Sequence, residues 1–254
     1  MAKRQQKRLG IIQTRGLGDI IIALPIAHYY HEQGWHVHWP IMEQWVEQMQ
    51  GVAPWVKWIP VPLDSGAFFY DVPMQRLQNF KCDEILCLYQ ALSGHPEFTQ
   101  EPWFQHTSFD QYKYLKAGVP FKNKWLLRDC ITRDPDREQA LPDRVVIKDK
   151  YVVTHLNSSH QTVRYDPAII PDDWQVIPVT DHGWIFDWLG VIEGAEAVIM
   201  TDSVMSNLVD QLDLDVEKYY IPQHHIQLTP VHLCDWTWLD NPDLGPGIRI
   251  FGSK

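Results

Sequence analysis

Between Leu9 and Trp39 the chain changes its hydrophobic period twice, and few folds accommodate that. "LGIIQT", Leu9 to Thr14, is a short β-branched run ending in a glycine turn, and it reads as a buried strand. After the turn the apolar residues Ile20, Ala23, Leu24, Ala27 and Tyr30 recur three and four apart, which predicts a helix stopping at Gly34. "WHVHW", Trp35 to Trp39, then alternates as a strand. Strand, helix and strand in immediate succession are the signature of a parallel sheet with crossover helices.

The same order continues. "EQWVEQM" predicts a short helix, "VKWIPV" a strand and "KCDEILCLY", Lys81 to Tyr89, a further buried strand. Gln90 to Lys124 combines loops with a helix around "SFDQYKYLKAGV". The polar stretch Leu127 to Arg144, with two prolines and little periodicity, reads as a linker. A second strand-first unit follows: strands at Lys150–Ser159, Asp173–Thr180, Ala197–Asp202 and "KYYIP", with helices at Trp184–Ala195 and "SVMSNLVDQL". The expectation is two doubly wound α/β halves, residues 1–135 and 145–254, the second short of helices between Ser159 and Trp174.

Composition narrows the functional classes. The 254 residues carry 32 acidic against 22 basic side chains, a net charge of −10 that opposes nucleic-acid binding unless the basic groups are segregated. The visible segregation is Lys3, Arg4, Lys7 and Arg8, which leaves a phosphate backbone or an anionic membrane surface open as a contact. No apolar run approaches the roughly 20 residues that span a bilayer, and no signal peptide follows the basic start, so a cytoplasmic protein is expected. Cys82, Cys87, Cys130 and Cys234 lack CxxC spacing and read as reduced thiols. The twelve histidines, among them the pairs His28/His31, His36/His38 and His224/His225, and His232 beside Cys234, lack metal-ligand spacing, so no metal is expected. Without a GxSxG elbow or a P-loop, hydrolase and kinase readings have no anchor.

Ligands of open parallel sheets bind outside the carboxyl ends of the strands, and the polar clusters of this sequence fall there. The first is Thr14 to Asp19. Gly16 and Gly18 allow a sharp turn and close approach beside Arg15, and Asp19 sits at the helix N-terminus either as a cap or as a catalytic carboxylate. Ile21 stands where a GxGxxG fingerprint needs its last glycine, so a dinucleotide site is not supported. The second cluster is "MTDSVMSN", in which Thr201, Asp202 and Ser203 end a strand and open a helix, an arrangement that suits phosphate. The third, "HLNSSHQT", offers Asn157, Ser158 and Ser159 to a diphosphate.

"IIQTRGLGDIIIALPIAHYYHEQGWHVHW" resembles the opening of the ADP-heptose:lipopolysaccharide heptosyltransferase family, with Gly18, Asp19, Leu24 and Pro25 matching. "GVIEGAEAVIMTDSVMSNLVDQL" is similar to the family's second signature, a helix and strand leading to D-S-G-P-x-H. Asp202 and Ser203 match it, while Val204, Met205 and Asn207 replace the glycine, proline and histidine. The resemblance implies a GT-B architecture, two Rossmann-like domains facing a cleft, with the acceptor held mainly by the N-terminal domain and the nucleotide-sugar by the C-terminal one. It implies Asp19 as general base for an inverting, metal-independent transfer, with Arg15, Gly16 and Gly18 forming the acceptor-side loop. Donor contacts fall to Asn157, Ser158, Ser159, Thr201, Asp202, Ser203 and Asn207. Arg164 is the nearest cation where the family carries a lysine.

A glycosyltransferase is therefore expected, with no cofactor beyond the nucleotide-sugar co-substrate and with a glycan, lipid-linked or small-molecule acceptor. Acidity disfavours a nucleic-acid acceptor. The altered D-S motif keeps open a non-catalytic nucleotide-sugar-binding protein of the same fold. A nucleotide-sugar epimerase shares the architecture and would turn the donor over without an acceptor.

Overall fold

The structure is a computed structural model that describes residues 6–62, 67, 69–90, 107–141, 145–158, 161–180, 183–223, 229–233 and 235–244. Lys3, Arg4, Ser159, His224, His225 and Cys234 lie outside the described residues. The chain divides into two compact units, Met1–Thr132 and Arg133–Lys254.

The first unit is built on a parallel sheet of four described strands, β1 (Arg8–Ile12), β2 (His36–Met42), β3 (Lys57–Val61) and β4 (Glu84–Cys87), in the order β3-β2-β1-β4. The helices α1 (Leu17–Glu32), α2 (Glu43–Val52) and α3 (Asp71–Asn79) make the crossovers. Strand order reverses between β1 and β4, so the chain leaves β1 to one side and returns on the other. α1 is buried continuously from Ile20 to Ala27, as a helix apolar all round must be. It packs against α4 (Phe109–Ala117), a 3-10 turn over Phe121–Leu126 and α5 (Leu127–Cys130). Pro25 inside α1 has no amide to donate, and nearby the Tyr114 hydroxyl of α4 donates to the Ile22 carbonyl at 2.9 Å. α4 is closed by a Ser108–Gln111 capping box at its start and left-handed Gly118 at its end.

The second unit carries β5 (Tyr151–His155), β6 (Gln175–Pro178), β7 (Ala197–Thr201), β8 (Glu217–Ile221) and β9 (Trp236–Trp238), all parallel, in the order β6-β5-β7-β8-β9. Here the reversal lies between β5 and β7. Val152, Val163, Ala197, Ile199 and Ile221 form a core cluster on this sheet.

Several sequence expectations need correction. The segment read as a linker is helical at α5 and again at α6 (Pro135–Ala140), where Asp134 caps the start through the Arg137 amide. Its polar residues find partners within the second unit: Arg133 bridges Glu138 and Glu193, and Arg137 bridges Asp187 while stacking 3.6 Å over the Trp184 ring. The helix expected over Trp184–Ala195 is a 3-10 turn, Ile185–Trp188, running into α7 (Leu189–Glu193). β9 was not expected, because three residues of "WTW" are too few to show a period. The last helix, α8 (Val204–Gln211), begins where its Ser203 cap predicts. Among the described residues Cys82, Cys87 and Cys130 are free thiols, and no helix is long and apolar enough to cross a membrane.

Candidate active site

The reversal of strand order opens a crevice at the carboxyl ends of β1 and β4, where the sequence places Gln13 to Gly16 and Leu88 to Tyr89. Gly16 has φ +82°, and a Cβ there would stand 2.5 Å from Asp19 Oδ2. The glycine is required twice over, by the backbone conformation and by the carboxylate folded back on it. Gly18 is an ordinary helical residue inside α1. The Tyr89 hydroxyl accepts the amides of Thr14 at 2.9 Å and Arg15 at 3.0 Å, which occupies two of the donors a phosphate would need at this turn. Burial pushes the Tyr89 phenol up to about 12, so it is protonated at neutral pH. This turn is a seat for a carboxylate and not a diphosphate cradle.

Asp19 keeps 34% of its side chain exposed, and its Oδ1 lies 3.0 Å from Lys113 Nζ of α4. Lys113 also donates to Gln13 Oε1 at 2.8 Å and to the Leu88 carbonyl at 3.4 Å. Gln13 is itself held, its Nε2 donating to the Arg15 carbonyl and its own carbonyl accepting from Trp39 Nε1. Arg15 is exposed, with its guanidinium 5.7 Å from the Phe69 ring centroid. The result is an outward carboxylate on a rigid, mostly buried polar base.

In the second unit the crevice falls at the ends of β5 and β7. There His155 Nδ1 and Ser203 Oγ share a hydrogen bond of 2.8 Å. Burial lowers the His155 imidazole to about 4, so it is neutral at pH 7. Ser203 caps α8, its Oγ accepting the Ser206 amide while its own amide donates to Ser206 Oγ. The opening amides of α8 lie at the carboxyl end of β7, as the strand-to-helix step through Asp202 and Ser203 requires. Asn207 is only 2% exposed and turns inward, its Nδ2 donating to the Ser203 carbonyl at 2.8 Å. Thr201 is buried and donates to the Ile221 carbonyl. Asp202 is partly buried. Asn157 is exposed and accepts from Thr162 Oγ1, and Ser158 Oγ donates to Gln223 Oε1 at 2.7 Å. Arg164 is exposed.

Two groups emerge that the sequence motifs do not name. Lys113 lies 94 positions from Asp19, and its signal is spacing: Asp110, Lys113, Tyr114 and Ala117 form one buried stripe of α4, so two of its charges fall on an apolar face. His155 opens the third polar cluster, but nothing local assigns it a partner 48 residues on.

No family model matches the chain, and no curated protein matches its sequence. Solved structures do. The glycosyl transferase family 9 protein of Veillonella parvula superposes over 94% of this chain and 88% of its own, with a TM-score of 0.58 at 13% identity. TibC of enterotoxigenic E. coli, an iron-containing dodecameric glycosyltransferase, gives 0.50 at 12% identity over 87% of this chain and 59% of TibC. In its complex with ADP-D-beta-D-heptose, as a heptosyltransferase, TibC gives 0.55 at 11% identity over 93% and 63%. The likeness to heptosyltransferases that the two motifs suggest is therefore found again in the fold, as an α/β chain with parallel sheets and low sequence identity. Among the described residues no three histidine, cysteine or acidic side chains converge to hold a metal ion, so residues for an iron such as TibC's are not found among them.

Proposed function

We propose that this chain is a glycosyltransferase that moves a sugar from a nucleotide-sugar to an acceptor hydroxyl with inversion and without a metal ion. The observation that carries the reading is the Asp19 carboxylate, seated on Gly16 at the strand-order reversal of the first sheet with Oδ2 over the glycine. The likeness in fold to glycosyltransferases supports it.

In this reading the first unit holds the acceptor beside Arg15, Gly16 and Gly18. Asp19 Oδ2 takes the hydroxyl proton as the acceptor oxygen bonds to the anomeric carbon. The bond from that carbon to the diphosphate breaks, and its electron pair leaves on the nucleoside diphosphate. The second unit binds the donor, with Ser203, neutral His155 and the opening amides of α8 beside the diphosphate. Helix amides and dipole offset the charge that develops there. Asp202, Asn157, Ser158, Ser159 and Arg164 complete the donor contacts in this reading. Thr201 and Asn207, both buried, support this end of the sheet.

Three measurements test the reading. Product configuration by NMR gives inversion or refutes it, and transfer by chelator-treated protein at an unchanged rate supports metal independence. Removing the base as Asp19→Ala is expected to lower transfer by about 10²- to 10⁴-fold. Full transfer by that variant rules Asp19 out.

One observation favours a second reading, a nucleotide-sugar-binding protein without transfer. The family histidine is replaced by the inward-turned Asn207, which brings no charge to the leaving group. Donor binding with neither transfer nor hydrolysis would select it.

A further inference from the structure

Lys113 is 4% exposed and too deep to meet a substrate, yet it touches the one carboxylate assigned to chemistry. Its ammonium makes three contacts: it donates to Gln13 Oε1 beyond β1 and to the Leu88 carbonyl beyond β4, and it forms an ion pair at 3.0 Å with Asp19 Oδ1 in the first turn of α1. Two of these are fixed by the sheet, so the third is held where they place it. No described residue donates a hydrogen bond to Asp19 Oδ2, which lies over Gly16. A carboxylate gripped by one oxygen presents the other in a single orientation, as a base that must lie within hydrogen-bond reach of a hydroxyl requires.

We propose that Lys113 is the positioning residue for Asp19: its ammonium, tied to Gln13 and Leu88, grips Oδ1 so that Oδ2 faces the acceptor. The proposal rests on Asp19 being the base. It also accounts for an otherwise costly buried ammonium, which an apolar side chain would replace if packing alone mattered.

Two measurements decide it without reference to activity. In 15N spectra of Lys-labelled protein, the Lys113 ammonium resonance is expected to persist in the wild type and to move or vanish in Asp19→Asn; an unchanged resonance overturns the proposal. In a crystal structure of Lys113→Met, Asp19 is expected to leave its place over Gly16 or to occupy several rotamers; a carboxylate in its original place overturns it. Should Lys113→Met fail to fold, Gln13→Leu, which keeps the charge and removes one anchor, takes the same reading of Asp19. Kinetics then separate positioning from packing. With ADP-D-beta-D-heptose as the first donor probe, followed by other nucleotide-sugars, Lys113→Met is expected to lower kcat 10- to 100-fold with donor KM within threefold. A fall in donor affinity alone counts against positioning. A wild-type chain inactive with every donor removes the catalytic reading of Asp19, while the spectra and the crystal structure still decide the role of Lys113.

Discussion

Gly16 and Asp19 occupy one another's space, and that mutual fit is the smallest unit of the site. Gly16→Ala must strain the backbone at φ +82° and push the carboxylate away, so it is expected to destabilise the protein by about 1–3 kcal/mol in urea titrations and to depress transfer as well. His155 gives a pH signature. Its imidazole falls to about 4 on folding, against an ordinary value near 6.5, so between those pH values the unfolded chain binds the extra proton. Its contribution is fully present above pH 6.5 and is lost as the pH falls toward 4, on the order of 3 kcal/mol. The stability difference between wild type and His155→Asn, measured by urea unfolding across that range, should narrow as the pH falls. A difference that widens contradicts a buried neutral imidazole. At this scale the sequence showed the glycine turn and the acid, readable as cap or catalyst, and the structure has no side-chain hydrogen bond capping α1. The surroundings of Asp19 were not legible, because Tyr89, Lys113 and Gln13 arrive from beyond β4, from α4 and from the end of β1 and leave no local trace at Asp19.

α4 shows how an element far along the chain builds a site at its beginning. Its capping box and its left-handed Gly118 are readable from "SFDQYKYLKAG", and they fix its length. Its buried stripe does the rest: Tyr114 braces α1 beside Pro25, Lys113 reaches Asp19, and Asp110 pairs with Lys124 at 2.8 Å, both side chains fully buried. Breaking that buried pair leaves an uncompensated charge, so Lys124→Met is expected to cost about 3–5 kcal/mol in chemical denaturation. Pairing it with Asp110→Leu should recover much of the loss, because an apolar pair needs no partner. At this scale the strands and α1 were legible because their periods differ sharply. α5, α6 and β9 were not, since segments of three to six residues are too short to carry a period.

At the scale of the molecule, two parallel sheets each reverse their strand order once, and each reversal gathers the polar residues that the motifs single out. The first gathers a carboxylate on a glycine seat with its amides already engaged. The second gathers a hydroxyl, a neutral imidazole and the Ser203-capped start of α8. That asymmetry supports the proposal that the first unit holds the acceptor and the second the donor. Donor binding should accordingly survive changes at Asp19. At a donor concentration of a hundred times Kd, wild type and Asp19→Asn should each gain about 2.7 kcal/mol, several degrees in Tm. The most direct measurement is nucleoside diphosphate release by these two proteins, across a panel of nucleotide-sugars offered with glycan acceptors. One donor should stabilise both proteins alike, while only the wild type releases the diphosphate and Asp19→Asn falls at least about 10²-fold behind. Release by Asp19→Asn at the wild-type rate would contradict the assignment of Asp19 as the base.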